Sequence, residues 1–93
     1  MNLREQFESL EAELRQSAPS IRIERTDFAS GAFMLDVWWQ SKLFVMACPV
    51  NGNRFGVDEI TDDNPGFDMV FKNAFDTFAD AAVHLKSLVF PTP

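Results

Sequence analysis

Residues 33–50 read FMLDVWWQSKLFVMACPV, and the predicted sheet is built around these residues. Two runs of mostly apolar residues, 33–39 and 43–48, lie on either side of the polar tripeptide Gln40-Ser41-Lys42. Runs of this length, rich in aromatic and β-branched residues, are typical of β-strands, and a short polar segment between two of them indicates a hairpin. The sequence therefore predicts two adjacent antiparallel strands at the centre of the domain.

A further strand precedes this hairpin and another follows it. Ile21 and Ile23 alternate with charged residues, which is typical of a half-buried strand, and a turn at Ser30-Gly31 leads into the hairpin. After the hairpin, Asn51-Gly52 favours a type I′ turn because both residues tolerate a positive φ. A fourth strand then begins at Phe55 and runs to about residue 60. The sequence thus predicts a four-stranded antiparallel meander.

Amphipathic helices are predicted at both ends of the chain. Residues 2–17 repeat apolar side chains at spacings of three and four, with Asn2 as the N-cap and Pro19 beyond the last turn. Residues 78–89 show the same spacing after the cap Thr77. Residues 61–68 have the composition of a loop, and residues 69–75 fit either a short extra strand or an irregular segment. The order α-β-β-β-β-α over residues 1–93 predicts a single domain with an α+β two-layer sandwich.

The length of the turn at residues 40–42 decides which side chains face the helices. With a three-residue turn, Trp38 lies opposite Phe44 and Asp36 lies opposite Met46. Alternation along the strands then assigns the helix-facing side to Phe33, Leu35, Val37, Trp39, Leu43, Val45, Ala47, Phe55 and Val57. The outer side receives Met34, Asp36, Trp38, Phe44 and Met46.

This outer side is unusually apolar, which predicts a protein–protein interface. A two-layer sandwich leaves one face of its sheet in solvent, and that face is normally polar. Trp, Phe and Met are instead the residues enriched in the cores of interfaces. We therefore predict that the outer residues bind a protein partner or a second copy of the chain. Two alternatives stay open: the faces are reversed, or residues 61–75 cover the outer one.

The net charge of −6 comes from a single segment of the chain. Residues 58–80 hold seven acids and one base, whereas residues 1–57 hold seven acids and six bases. A patch of one sign accelerates and orients association with a partner of the opposite sign. The predicted docking residues for a basic protein are Asp58, Glu59, Asp62, Asp63 and Asp68. As an alternative to the interface on the sheet, the chain is then an immunity- or antitoxin-like inhibitor or a nucleic-acid mimic. In the opposing interpretation, the acids only solvate a loop and the start of a helix.

No motif in the sequence predicts catalysis or a cofactor. The chain has one Cys and one His, and it lacks the P-loop, the G-x-S-x-G motif and the dinucleotide fingerprint. A zinc site needs paired ligands, and residues 62–73 depart from the EF-hand pattern at positions 5, 6 and 12. The acidic balance disfavours direct binding to DNA or RNA. We therefore predict no enzyme, no metal and no cofactor.

The start of the chain and its cysteine predict a cytoplasmic protein. The first residues, MNLREQFE, alternate charged and apolar side chains and lack the apolar core of a signal peptide. The chain contains no run of about 18 apolar residues, which is the length that a helix needs to span a membrane. Small secreted domains usually contain several disulfides. Cys48 is the single cysteine of the chain, so no disulfide can form within it.

Overall fold

A computed structural model describes residues 2–48, 54–61, 63 and 73–91. The elements, in order, are α1 (Leu3–Ser17), β1 (Arg22–Asp27), β2 (Phe33–Trp39), β3 (Lys42–Cys48), β4 (Phe55–Ile60), β5 (Ala74–Phe75) and α2 (Phe78–Val89). The strands form one antiparallel sheet in the order β1-β2-β3-β4-β5. The predicted α+β order is confirmed, and β5 adds a short fifth strand. The predicted turn at Asn51-Gly52 and residues 69–72 lie outside the described residues.

Both helices begin at the side-chain caps that the sequence indicates. Asn2 Oδ1 accepts a hydrogen bond from the Glu5 backbone N–H at 2.8 Å. Thr77 Oγ1 accepts one from the Asp80 backbone N–H at 3.1 Å. These bonds satisfy donors that the first turn of a helix leaves without intrahelical partners. The two caps therefore fix where each helix starts relative to the sheet.

Aromatic contacts join both helices to one face of the sheet. The Phe7 ring of α1 stacks on Phe33 of β2 with 5.7 Å between centroids, and it meets the Phe78 ring of α2 at 5.0 Å. Phe78 in turn meets Phe55 of β4 at 5.8 Å. Around these rings lie the largest fully buried side chains, Phe7, Leu14, Leu35, Val37, Phe44, Met46, Cys48, Val57 and Leu85. The core thus lies between this face and the two helices.

The structure corrects the predicted register of β3. The turn between β2 and β3 has two residues rather than three, because Trp39 pairs with Lys42. Gln40 and Ser41 adopt φ values of 53° and 66°, as a two-residue type I′ turn requires. Phe44 consequently lies opposite Val37 rather than Trp38. A shift of one residue turns every side chain of a strand to the other face of the sheet.

Phe44 and Met46 therefore face the helices, where they are 1% and 0% exposed. The prediction that these two side chains lie on the outer face is wrong. The structure places Leu43, Val45 and Ala47 there instead. The faces predicted for β2 and β4 are confirmed, since Leu35, Val37 and Val57 lie in the core.

Charged side chains connect α1 to the sheet. Arg25 of β1 donates to Glu11 Oε2 at 2.7 Å and to Asp27 Oδ1 at 3.0 Å. Burial alone would lower the pKa of Arg25, but the carboxylates of Glu11 and Asp27 outweigh it and raise that pKa. Arg4 of α1 lies 3.3 Å from Asp27. Together these groups hold α1 across the edge of the sheet that β1 forms.

Candidate functional site

The face of the sheet opposite the helices presents three rows of side chains across the strands. In sheet order, the first row is Arg22, Trp38, Leu43 and Ile60. The second row is Glu24, Asp36, Val45 and Asp58. The third row is Thr26, Met34, Ala47 and Gly56. An acidic row thus lies between two rows that are mostly apolar.

Burial divides this outer face into two halves. On β3 and β4, Val45, Ala47 and Asp58 are buried, whereas Leu43 and Ile60 in the row of Trp38 are half-buried. On β1 and β2, the outward side chains are half-buried or exposed. A partner can therefore reach the half that β1 and β2 form. We call this half the β1–β2 outer face, and it comprises Arg22, Glu24, Thr26, Met34, Asp36 and Trp38.

Trp38 lies at one end of the β1–β2 outer face. The guanidinium carbon of Arg22 is 4.5 Å from the centroid of the Trp38 ring, which is a cation–π contact. Arg22 Nη2 also donates to Glu24 Oε1 at 3.0 Å. The ring therefore has a cross-strand neighbour in the free chain, and a ring restrained in this way loses less entropy when a partner buries it.

Asp36 carries the unusual electrostatics of this surface. It lies directly opposite Glu24 in the β1–β2 register, and like charges in that position are unfavourable. Burial first, and then the charge of Glu24, raise the pKa of the Asp36 carboxyl above its usual range. Within the described residues, no cation offsets this charge. A cation supplied by a partner would relieve the repulsion.

Replacing Asp36 with asparagine is expected to stabilise the isolated chain at pH 7 by roughly 0.5 kcal/mol, because it removes a charge that burial first, and then Glu24, make unfavourable. The pKa of Asp36 is higher in the folded chain than in the unfolded one, so the ionised form disfavours folding. The gain should therefore grow as the pH rises through the folded pKa and vanish near about pH 3. Urea unfolding at low protein concentration measures it, and a gain independent of pH would contradict this account.

Thr26 was missed as a site residue in the sequence, and so were Arg22 and Glu24. A signal for them existed, since their alternation with Ile21 and Ile23 places them on the outward side of the first strand. Their proximity to Trp38 and Asp36 depends on the pairing of β1 with β2 across the loop 28–32. Composition alone does not reveal that pairing.

Of the predicted acidic docking residues, the three that the structure describes are not all exposed. Asp58 is 3% exposed and accepts a hydrogen bond from Asn73 Nδ2 at 2.9 Å, so its placement on an exposed docking surface is wrong. Glu59 is half-buried and Asp63 is exposed. Asp62 and Asp68 lie outside the described residues.

Cys48 and His84 are the single cysteine and the single histidine of the chain. Cys48 is buried, and burial raises the pKa of its thiol, which disfavours the nucleophilic thiolate. His84 Nε2 is buried without a hydrogen-bond partner among the described residues, and its ring lies 5.1 Å from Phe75. In the part of the chain that the structure describes, no three His, Cys, Asp or Glu side chains are grouped to hold a metal.

The fold belongs to the class of α+β two-layer sandwiches, with a five-stranded meander under two helices. No protein-family model, curated protein or solved structure matches the chain. Among the described residues, no helix reaches the length and apolarity needed to cross a membrane. Function is therefore inferred from the residues of this chain alone.

Proposed function

We propose that this chain is a non-enzymatic protein–protein interaction domain that associates with a second copy of itself through the β1–β2 outer face. The observation that carries the proposal is the presence on one surface of Trp38, held by Arg22, and of Asp36, a half-buried carboxylate without an offsetting cation. Trp and Arg side chains most often dominate the free energy of binding at interfaces. The surface lies opposite the face that the helices cover.

The charges of this surface suit a second copy. Arg22 contributes one positive charge, and Glu24 and Asp36 contribute two negative ones. The net charge of the β1–β2 outer face is therefore −1, whereas that of the whole chain is −6. Two copies can approach there with little repulsion. In a dimer with two-fold symmetry, a contact from Arg22 of one copy to Asp36 of the other occurs twice. Each Asp36 would then gain the cation that it lacks in the single chain.

Packing of the two faces is favoured over pairing of the two edges. Four of the six residues of β1 are charged. Natural sheets use charges on an edge strand to prevent edge-to-edge association. We therefore propose face-to-face packing with Trp38 close to the two-fold axis. We prefer this to the inhibitor hypothesis because Asp58, one of the carboxylates that the inhibitor would use, is buried.

Sedimentation equilibrium tests the proposal. The wild-type chain is expected to dimerise at high micromolar concentration, and Trp38→Ala should weaken the dimer at least tenfold, or by about 1.4 kcal/mol. The control variant is Val83→Ala, which shortens an exposed apolar side chain on α2 and should leave the dimer unchanged. A wild-type chain that stays monomeric at high micromolar concentration contradicts self-association.

An exchange of charges tests the contact itself. Arg22→Glu and Asp36→Arg each place like charges at the proposed contact, so each variant alone should be monomeric where the wild type dimerises. An equal mixture is expected to form a heterodimer, because the acid introduced at position 22 then meets the base introduced at position 36. Native mass spectrometry separates the species by mass. If the mixture stays monomeric while the wild type dimerises, the proposed contact is wrong.

A further inference from the structure

A cavity of about 700 Å³ opens at one end of the sheet, where β2 begins, β3 ends and β4 begins. Its walls are mainly apolar side chains: Phe28, Phe33, Met34, Ala47, Cys48 and Phe55. The volume falls within the range of roughly 300–1,000 Å³ that is typical of small-molecule sites. The cavity is separate from the self-association surface except for Met34, which belongs to both.

Arg54 is the single charged residue among the described residues that line this cavity. Its Nε lies 3.9 Å from Asp76 Oδ1, and both side chains are largely exposed. Ion pairs between exposed side chains contribute little because water screens them. The guanidinium can therefore exchange Asp76 for an anion that arrives with a ligand.

Phe28 lies at the cavity with an unusually exposed ring. It is 44% exposed, although most of the large apolar side chains in the described residues are covered. Two backbone hydrogen bonds of 2.9 Å close its loop, one from Phe28 N–H to Ala32 O and one from Gly31 N–H to Phe28 O. Exposed apolar surface beside an apolar cavity is characteristic of a ligand-binding site.

We propose that this cavity binds a small amphipathic carboxylate. The hydrocarbon part lies against Phe28, Met34 and Ala47, because apolar walls offer no partner to a polar ligand body. The carboxylate lies at Arg54, which supplies both charge and planar donor geometry. Trp38 and Asp36 take no part, and Met34 is the one residue that this site shares with the self-association surface.

Dodecanoate, used below its micelle concentration, is the probe for this site. Methyl NMR signals of Met34 and Ala47 are expected to shift saturably on titration, and the signals of Val83 on α2 should stay in place. Dodecanol has the same chain without the charge, and it should bind about threefold more weakly. Arg54→Gln should abolish that difference while leaving the affinity for dodecanol unchanged.

Variants that fill the cavity complete the test. Ala32→Phe introduces a ring from the loop that lines the cavity, and it should weaken both ligands at least tenfold. Ala74→Phe fills the site from β5 and provides a second variant if the first does not fold. The matched control is Ala12→Phe, at an exposed position of α1, which should bind as the wild type does. Equal affinity in the filled and control variants, or no saturable shift in the wild type, would overturn the proposal.

Discussion

Replacing Phe44 with alanine is expected to destabilise the fold by about 3–5 kcal/mol. The Phe44 side chain is buried opposite Val37, within the core between the sheet and the helices. Truncation removes its packing and leaves a cavity that the surrounding elements fill only in part. Because a small domain has a total stability of only about 5–15 kcal/mol, much of the variant should be unfolded in mild denaturant. Urea unfolding followed by circular dichroism measures the loss.

Leu43→Ala is the matched control for Phe44→Ala. Leu43 is the adjacent residue of β3, lies on the opposite face and is half-buried, so about 1 kcal/mol is expected from its truncation. A second pair sharpens the comparison. Trp38→Glu should remain folded, whereas Phe44→Glu should unfold because it buries a charge in the core. If Phe44→Ala and Leu43→Ala cost the same, the two-residue turn and its register are wrong.

The order of the elements could be predicted because each has a clear period. Apolar side chains recur every three or four residues in both helices, and Asn2 and Thr77 mark their starts. In β2, the charged Asp36 belongs on the outer side of the sheet. Its neighbours Leu35 and Val37 must then face the helices, because side chains alternate along a strand. Such local signals do not depend on distant contacts, and the structure agrees with them.

The face of β3 could not be predicted from its pattern. This strand lies third of five in the sheet, and its residues from Phe44 to Cys48 are buried on both faces. A strand that is buried on both sides lacks the apolar–polar alternation that identifies a face. The turn length then decides the register, and Gln40-Ser41 lacks the Asn or Gly that usually marks a two-residue turn. The sequence was compatible with both registers.

The candidate site was predictable in part for similar reasons. Met34, Asp36 and Trp38 follow from the alternation of β2 and lie on the outer face as predicted. Asp58 accepts a hydrogen bond from Asn73, which is fifteen residues away in the chain, and the alternation of β4 does not predict that contact. The cavity depends on how three strand ends and the loop 28–32 come together. Long-range proximity of this kind leaves no periodic signal in a single sequence.

Replacing Arg25 with methionine is expected to destabilise the fold by about 2 kcal/mol. Arg25 lies 2.7 Å from Glu11, which is 9% exposed, so the substitution leaves a buried carboxylate without its nearest cation. Removing one partner of a fully buried pair costs about 3–5 kcal/mol, and the 22% exposure of the Arg25 side chain reduces that figure. Arg15, at 3.9 Å, is the nearest cation left to Glu11 among the described residues. Urea unfolding at pH 7 measures the loss.

The double variant Arg25→Met/Glu11→Met distinguishes a lost ion pair from lost packing. Apolar replacement of both partners of a buried pair is often close to neutral, so the double variant should recover most of the stability. Arg54→Gln, which breaks an exposed pair, should cost less than about 0.5 kcal/mol. If the stability losses of Arg25→Met and Glu11→Met simply add in the double variant, Arg25 and Glu11 do not stabilise the fold as a pair.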